Sequence, residues 1–223
     1  MRETNKARIF LAYDLPTMVK SELRSLEQKN AKIRWQPSAQ YHLTVYFVGD
    51  ATTAQINNVI TSVKEITANL APIPVKISNI GVERGNMIWA RGHDQTGALS
   101  KLYEALKQHI WDEHKLGDKP PRTRLTPHIL LGKSRQNAAL HEEDPAIVHA
   151  KNNFKPLTLN IDCLTLFESQ LRPQGAKHSK IKDFRFGGAG PEFGLKSKKP
   201  AALGAFDTIE DIARFKAKRE RGK

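Results

Sequence analysis

Two histidines with similar surroundings are the residues of this sequence best suited to acid–base chemistry. His42 lies at the start of residues 41–49, and His128 lies near the start of residues 126–133. The pKa of imidazole is close to neutrality, so one ring can accept a proton while another donates one. A single histidine at the edge of a strand is more often structural, hydrogen-bonded to backbone or solvent. The occurrence of the same pattern twice favours a pair that faces one cleft.

Alternation of polar and apolar residues predicts that both segments are β-strands. Successive side chains of a strand point to opposite faces. In the first strand, one face is expected to carry His42, Thr44 and Tyr46, and the other Leu43, Val45 and Phe47. In the second strand, the corresponding sets are His128 with Leu130, and Ile129 with Leu131. An imidazole and a hydroxyl, those of His42 and Thr44, are thus expected side by side and facing away from the core.

The remaining pattern predicts an α+β fold with mainly antiparallel pairing. Its order is strand, helix, strand, helix, hairpin, helix, strand and hairpin, so strands and helices do not alternate regularly. Asp14 is expected to cap the first helix and Thr52 or Thr53 the second. Residues 157–167 alternate throughout and are expected to form one long strand. The two histidine strands indicate two lobes that meet at a cleft.

Composition limits the possible partners and compartments. The 223 residues carry a net charge of +13, which favours a polyanion such as RNA or DNA as ligand, although lysines that only aid solubility are the alternative. No apolar run is long enough to span a membrane. Cys163 is the only cysteine, which rules out intramolecular disulfides and zinc fingers and predicts a reducing, cytoplasmic location. No His-Glu-x-x-His pattern indicates a metal site.

A change in composition near residue 187 predicts a domain boundary. Residues 1–186 are expected to form the folded body, and residues 187–223 a glycine-rich linker and a basic C-terminal tail. Asp207 and Glu210 resemble a capping box that opens a short helix in this tail. Residues 196–223 hold nine Lys or Arg and four Asp or Glu, so the tail adds to the positive charge.

The two histidine motifs resemble those of the two-histidine phosphoesterase superfamily. Within it, the chain looks like the bacterial and archaeal RNA 2′,3′-cyclic phosphodiesterases, also called 2′-5′ RNA ligases. Further segments that match this family are residues 8–16, 47–49 and 167–171, together with Gly175. The resemblance covers about residues 7–186.

The resemblance implies two lobes with pseudo-twofold symmetry, two mainly antiparallel sheets, helices on the outside and a central cleft. We also expect a monomer. The resemblance also implies hydrolysis of the 2′,3′-cyclic phosphate of RNA ends or cyclic nucleotides to a 2′-phosphate, without metal or cofactor, and reversible 2′-5′ ligation. By the same resemblance His42 and His128 are the catalytic residues. Thr44 and Lys133 are the residues expected to bind the substrate phosphate.

Two positions depart from the pattern of the family. Leu130 stands where the second motif has Thr, and His178 stands where many relatives have Tyr. A leucine cannot donate a hydrogen bond, and a bond to a charged group contributes about 1.5–3 kcal/mol. We therefore expect an enzyme that is slower by roughly 10- to 100-fold, since about 1.4 kcal/mol corresponds to tenfold.

Several alternatives remain open at this level. The same cleft could bind RNA or a nucleotide without turnover, which Leu130 favours slightly, or the substrate could be a 2′-5′ oligonucleotide or an ADP-ribose cyclic phosphate. The sequence does not assign acid and base between the two histidines. Phe10 and Tyr13 either stack on a base or pack in the core, and Arg122 and Arg124 either reach RNA phosphates or lie solvated in a loop.

Overall fold

The computed structural model describes residues 6–136, 138–172 and 175–188, which form an α+β fold with antiparallel strand pairing, as predicted. The strands are β1 (Ala7–Asp14), β2 (Ile33–Trp35), β3 (His42–Ala51), β4 (Ile73–Glu83), β5 (Met87–His93), β6 (His128–Ser134), β7 (Leu157–Ile161), β8 (Cys163–Gln170) and β9 (Lys177–Arg185). The helices are α1 (Thr17–Arg24), α2 (Thr53–Thr67), α3 (Ala98–Lys107) and α4 (Pro145–Asn153), and a π-helical turn, Gln108–Glu113, prolongs α3. No helix in these ranges combines the length and apolar character needed to span a bilayer.

The strands form one continuous sheet where the sequence predicted two. Its order is β7-β4-β5-β6-β3-β1-β8-β9, and the short β2 pairs with β6. The join between β3 and β6 consists of a single residue pair, Leu43 with Ile129. Four strands of the main path lie on each side of this join, an arrangement that is compatible with the two expected lobes. The two histidine strands are the central strands of this path.

The predicted long strand over residues 157–167 is in fact two strands in different halves of the sheet. β7 pairs with β4 at one edge, whereas β8 pairs with β1 in the other half. The chain changes direction at Asp162, whose carbonyl accepts a hydrogen bond of 2.8 Å from the backbone N–H of Phe186. The alternation of polar and apolar residues continues through both strands. The pattern alone therefore could not indicate that the chain passes from one half of the sheet to the other.

The helix caps agree with the prediction in one of two cases. The Thr52 side chain accepts from the backbone N–H of Gln55, and the Gln55 side chain bonds back to Thr52, which is a complete capping box for α2. Asp14 does not cap α1, because the helix begins at Thr17 after Pro16. The Asp14 carboxylate instead lies 2.5 Å from the Lys20 ammonium and 2.7 Å from that of Lys180.

A β-bulge in β3 reverses the faces predicted for two aromatic residues. Leu11 pairs with Tyr46 and Ala12 with Thr44, so Val45 is an extra residue without a partner in β1. Beyond this bulge, Tyr46 is 2% exposed and packs in the core, whereas Phe47 is 53% exposed. The bulge leaves Tyr46 buried and turns Phe47 outward.

Candidate functional site

The functional residues predicted from the two motifs meet where β3 and β6 join. Leu43 and Ile129 are fully buried on the core side, and they form the only residue pair between these strands. Continuing this antiparallel register by one residue in each direction sets Thr44 opposite His128, and Leu130 opposite His42. These four residues therefore share the face of the sheet that points away from the main core. Each histidine has one cross-strand neighbour from the other half.

The same backbone contact orients both imidazole rings. Nδ1 of His42 lies 2.7 Å from the carbonyl oxygen of Gln40, and Nδ1 of His128 lies 2.8 Å from that of Thr126. A carbonyl can only accept, so Nδ1 carries the proton and donates in both rings. In the neutral rings Nε2 then keeps its lone pair and can accept a proton. The carbonyl lies two residues upstream in both cases, so the two halves repeat the arrangement.

His42 lies among aromatic rings. The centroid of its ring is 5.1 Å from that of Phe10, 6.0 Å from that of Phe167 and 5.2 Å from that of His178. Burial lowers the pKa of His42 to about 4, against the Gln40 hydrogen bond, which raises it. The imidazoles of His178 and His128 lower this pKa further, so both lie within electrostatic reach of His42. His42 is therefore neutral at physiological pH.

His128 has a different environment, because it stacks on Trp89. The ring centroids are 3.7 Å apart and the ring planes differ by 16°. Burial lowers the pKa of His128, the Thr126 carbonyl raises it, and the charge of Arg122 lowers it. The indole face attracts a cation, so the contact with Trp89 favours the imidazolium form of His128 over the neutral form.

His178 was not predicted as a site residue, yet its ring is in edge contact with that of His42. Burial lowers the pKa of His178, and the charge of Lys133 lowers it further. Lys133 is exposed, and its charge reaches His178, the ring neighbour of His42. Nδ1 of His178 is buried and has no hydrogen-bond partner among the described residues. The only sequence signal for this residue was its place in the family pattern, since it is far from both motifs along the chain.

Trp89 was also missed, and no signal in the sequence could have found it. Its stacking on His128 depends on the pairing of β5 with β6, which is shifted between the pairs Ile88–Gly132 and Trp89–Leu130. Phe10 is 1% exposed and forms a small buried cluster with Ala12 and Phe167 on the His42 side. Of the two alternatives left open for Phe10, packing is therefore the observed one. Tyr13 is also buried, in the main core.

A cavity of about 330 Å³ opens beside Thr44 and His128. Its charged lining consists of Arg8, Lys119, Arg122, Arg124 and one carboxylate, that of Asp118. The aromatic ring of Phe47 also lines it. Arg122 and Arg124 thus lie at the candidate site. Within the described ranges, no three His, Cys, Asp or Glu side chains lie close enough together to hold a metal ion.

Comparison with known proteins shows which family the chain resembles. Residues 14–89 match the family model of the LigT-like phosphoesterases. An RNA 2′,3′-cyclic phosphodiesterase of Methanocaldococcus jannaschii is 24% identical over 186 residues, which cover 79% of this chain and 99% of that protein. Over residues 14–89 the chain is similar to the LigT-like phosphoesterases. A second relative, the RNA 2′,3′-cyclic phosphodiesterase of Aquifex aeolicus, is 23% identical over 70% of this chain and 82% of its own length.

Solved structures of other proteins share the fold. A Thermus thermophilus protein superposes with a TM-score of 0.63 at 19% identity, covering 82% of this chain and 100% of its own. Escherichia coli LigT, crystallised with NADP+, gives a TM-score of 0.62 at 16% identity, covering 82% of this chain and 99% of its own. The resemblance predicted from the two motifs is therefore confirmed as a similarity in sequence to the LigT-like phosphoesterases and as a shared fold. The family and these relatives indicate a phosphoesterase.

Proposed function

We propose that the protein hydrolyses the 2′,3′-cyclic phosphate of RNA ends to a 2′-phosphate, without a metal ion, by acid–base catalysis between His42 and His128. The observation that carries this proposal is the pair of imidazoles on adjoining strands, each with Nδ1 bound to a carbonyl and Nε2 left for proton transfer. The names of the two relatives, both RNA 2′,3′-cyclic phosphodiesterases, support the choice of substrate.

We assign the base to His42 and the acid to His128. A pKa of about 4 keeps His42 neutral, so its Nε2 takes a proton from water as the water oxygen attacks phosphorus. The bond from phosphorus to the 3′-oxygen breaks, and His128 donates its proton to that oxygen. The phosphate stays on the 2′-oxygen. Trp89 favours the imidazolium that this role requires, since an aromatic face attracts a cation.

Thr44 and Lys133 are proposed to bind the phosphoryl oxygens. The hydroxyl of Thr44 can donate to an oxygen that gains charge in the transition state, next to His128. Lys133 acts from the opposite side, where its charge already affects His178. If the 5′-hydroxyl of an RNA replaces water, the same proton transfers give a 2′-5′ linkage, so ligation belongs to the same proposal.

The test is the release of 2′-phosphate from 2′,3′-cyclic AMP, with and without a chelator. We expect His42→Ala and His128→Ala each to lower kcat/KM by about 10²- to 10⁴-fold, because general acid–base catalysis contributes that much. His114→Ala is the matched control, since His114 is exposed and belongs to neither motif. Wild-type activity that survives the two catalytic substitutions would contradict the assignment, and activity lost with the chelator would contradict metal independence.

One observation favours a second candidate, an RNA- or nucleotide-binding module without turnover. Leu130 lies opposite His42, whereas Thr44, which has a hydroxyl, lies opposite His128. The phosphate therefore lacks one hydrogen-bond donor on the His42 side. Binding of the cyclic nucleotide with no release of 2′-phosphate would support the module. Retention of both histidines and of Thr44 argues for the enzyme.

A further inference from the structure

His178 is a third imidazole on the face of the sheet that carries the two proposed catalytic histidines. Phe10 on β1 pairs with Phe167 on β8, and Ser169 on β8 pairs with His178 on β9. Cross-strand partners share a face of a sheet, and so do residues two apart on one strand. The ring of Phe10 contacts that of His42, with centroids 5.1 Å apart. The strand register therefore extends the face of His42 across β1 and β8 to His178.

Aromatic packing holds the imidazole of His178 in place. Its ring meets that of His42 with centroids 5.2 Å apart and planes at 87°, and that of Phe10 with centroids 4.9 Å apart and planes at 77°. Phe10 is buried and stacks in turn on Phe167, with centroids 5.3 Å apart. Edge-to-face contact is a favoured arrangement of aromatic rings. His178 therefore has a defined position relative to His42.

The hydrogen bonding of His178 differs from that of the other two imidazoles. In His42 and His128, Nδ1 donates to a backbone carbonyl, so Nε2 carries the lone pair. Nδ1 of His178 is buried and has no hydrogen-bond partner within the described part of the chain. Buried N–H groups without an acceptor are rarer in proteins than acceptors without a donor, so the proton of a neutral ring belongs on Nε2. His178 thus offers an Nε2–H donor, whereas His42 and His128 offer Nε2 acceptors.

The surroundings of His178 favour this neutral ring. Burial lowers the pKa of His178, and the charge of Lys133 lowers it further. A neutral donor suits a position next to His42, because a second imidazolium there would oppose the protonation of the base. His178 can therefore donate a hydrogen bond without adding a charge that weakens the base.

The proposed reaction has a place for such a donor. A cyclic phosphate has two non-bridging oxygens, and both gain charge when the nucleophile attacks. Thr44 lies opposite His128 and Leu130 opposite His42, so the pair of central strands supplies a hydroxyl on the His128 side alone. The ring of His178 lies beside His42, on the side that lacks the hydroxyl. A phosphoryl oxygen accepts more than one hydrogen bond, so a donor from β9 and one at position 130 would act independently.

Resting on the proposed function, we propose that His178 is a third catalytic residue, whose Nε2–H donates a hydrogen bond to the non-bridging phosphoryl oxygen on the His42 side. The bond strengthens as this oxygen gains charge in the transition state. His178 transfers no proton, and both proton transfers stay with His42 and His128. Because the interaction is stronger in the transition state than with the bound substrate, its loss lowers kcat more than it raises KM.

The first experiment measures kcat and KM for 2′,3′-cyclic AMP in variants that separate the two nitrogens of the ring. His178→Gln places an amide N–H near the position of Nε2, His178→Asn places one near that of Nδ1, and His178→Phe keeps a ring without either nitrogen. We expect His178→Phe and His178→Asn to lower kcat/KM by roughly 10- to 100-fold, the effect of one hydrogen bond to a charged group. His178→Gln should stay within severalfold of wild type. His93→Phe is the matched control, because His93 is an exposed histidine at the end of β5 and belongs to neither motif.

A second experiment locates the contact on the substrate. The two diastereomers of adenosine 2′,3′-cyclic phosphorothioate carry sulfur in place of one non-bridging oxygen or the other, and sulfur is the weaker acceptor. We expect His178→Phe to reduce the ratio of the oxygen to the sulfur rate for one diastereomer and to leave that for the other unchanged. Each ratio is measured within one variant, so it does not depend on the fraction of folded protein. An equal change for both diastereomers, or no change for either, would overturn the contact.

The outcomes separate this inference from the proposed function. Full activity of His178→Phe together with its loss in His178→Gln would mean that the ring only packs against His42, which overturns the inference and leaves the hydrolase standing. If wild type hydrolyses no cyclic nucleotide, the proposed function fails, and calorimetry with 2′,3′-cyclic AMP decides the contact. Weaker binding by His178→Phe than by His178→Gln would support the hydrogen bond, and equal binding would overturn it.

Discussion

At the scale of single residues, the site is symmetric except for the neighbours of the two histidines. His128 has Thr44 across the join, whereas His42 has Leu130. We predict that Leu130→Thr raises kcat/KM for cyclic phosphates by roughly 10- to 100-fold, because a hydrogen bond to a charged group contributes about 1.5–3 kcal/mol. Leu130→Val is the control, since valine has the shape of threonine without its hydroxyl. An equal gain in both variants, or none in either, would contradict the missing-donor explanation.

The pKa shifts of the two histidines predict the pH dependence of the reaction. The base must be neutral, so kcat/KM falls as pH decreases through the pKa of His42, about 4. The acid must be protonated, so kcat/KM also falls as pH rises through the pKa of His128, which burial lowers from its ordinary value. We therefore expect an optimum on the acidic side of neutrality.

The pH dependence of kcat, which reports the pKa values in the enzyme–substrate complex, provides a check on this assignment of acid and base. A bound phosphate anion stabilises both imidazolium forms, so the profile of kcat should lie at higher pH than that of kcat/KM. The measurement is the two pH profiles on 2′,3′-cyclic AMP in buffers of constant ionic strength. A kcat/KM that keeps rising above pH 7 would show that no histidine with a lowered pKa acts as the acid.

At the scale of elements, alternation and capping predicted most strands and helices, while irregularities in the sheet were invisible. β3 and β6 follow from their patterns, and Thr52 caps α2 as expected. The bulge at Val45 could not be predicted, because an extra residue is defined only relative to the partner strand. It buries Tyr46 and exposes Phe47. The passage of the chain from one half of the sheet to the other at Asp162 could not be predicted for the same reason, since the alternation does not specify which strands pair.

The candidate site shows the same division between local and long-range information. His42, Thr44 and His128 were found from local motifs, and the structure brings them onto one face. Trp89 and His178 were not found, because each reaches its histidine only through strand pairing and ring contacts. The residues predicted to bind phosphate or transfer protons have a local sequence pattern, whereas their ring neighbours come from other strands.

At the scale of the whole molecule, the net charge of +13 exceeds what the candidate cavity accounts for. The predicted linker and basic tail lie almost entirely outside the described residues, and their role remains a proposal. Residues 187 and 188 are the last described part of the chain. The backbone N–H groups of Gly187 and Gly188 donate to the carbonyls of Thr67 and Leu70, at 3.2 and 2.8 Å. A truncation after Gly188 therefore keeps the contacts of the chain with the end of α2.

This truncation tests whether the tail binds RNA. Residues 189–223 hold nine Lys or Arg and five Asp or Glu, so their removal lowers the net positive charge. Each lysine or arginine that neutralises a phosphate of single-stranded RNA adds about 0.7 to the slope of log affinity against log salt. We predict that the truncated protein binds a single-stranded RNA with a smaller slope, measured by fluorescence anisotropy between low and physiological salt. An unchanged slope would assign the phosphate contacts to the body, and then Arg124→Gln in the full chain should reduce it instead.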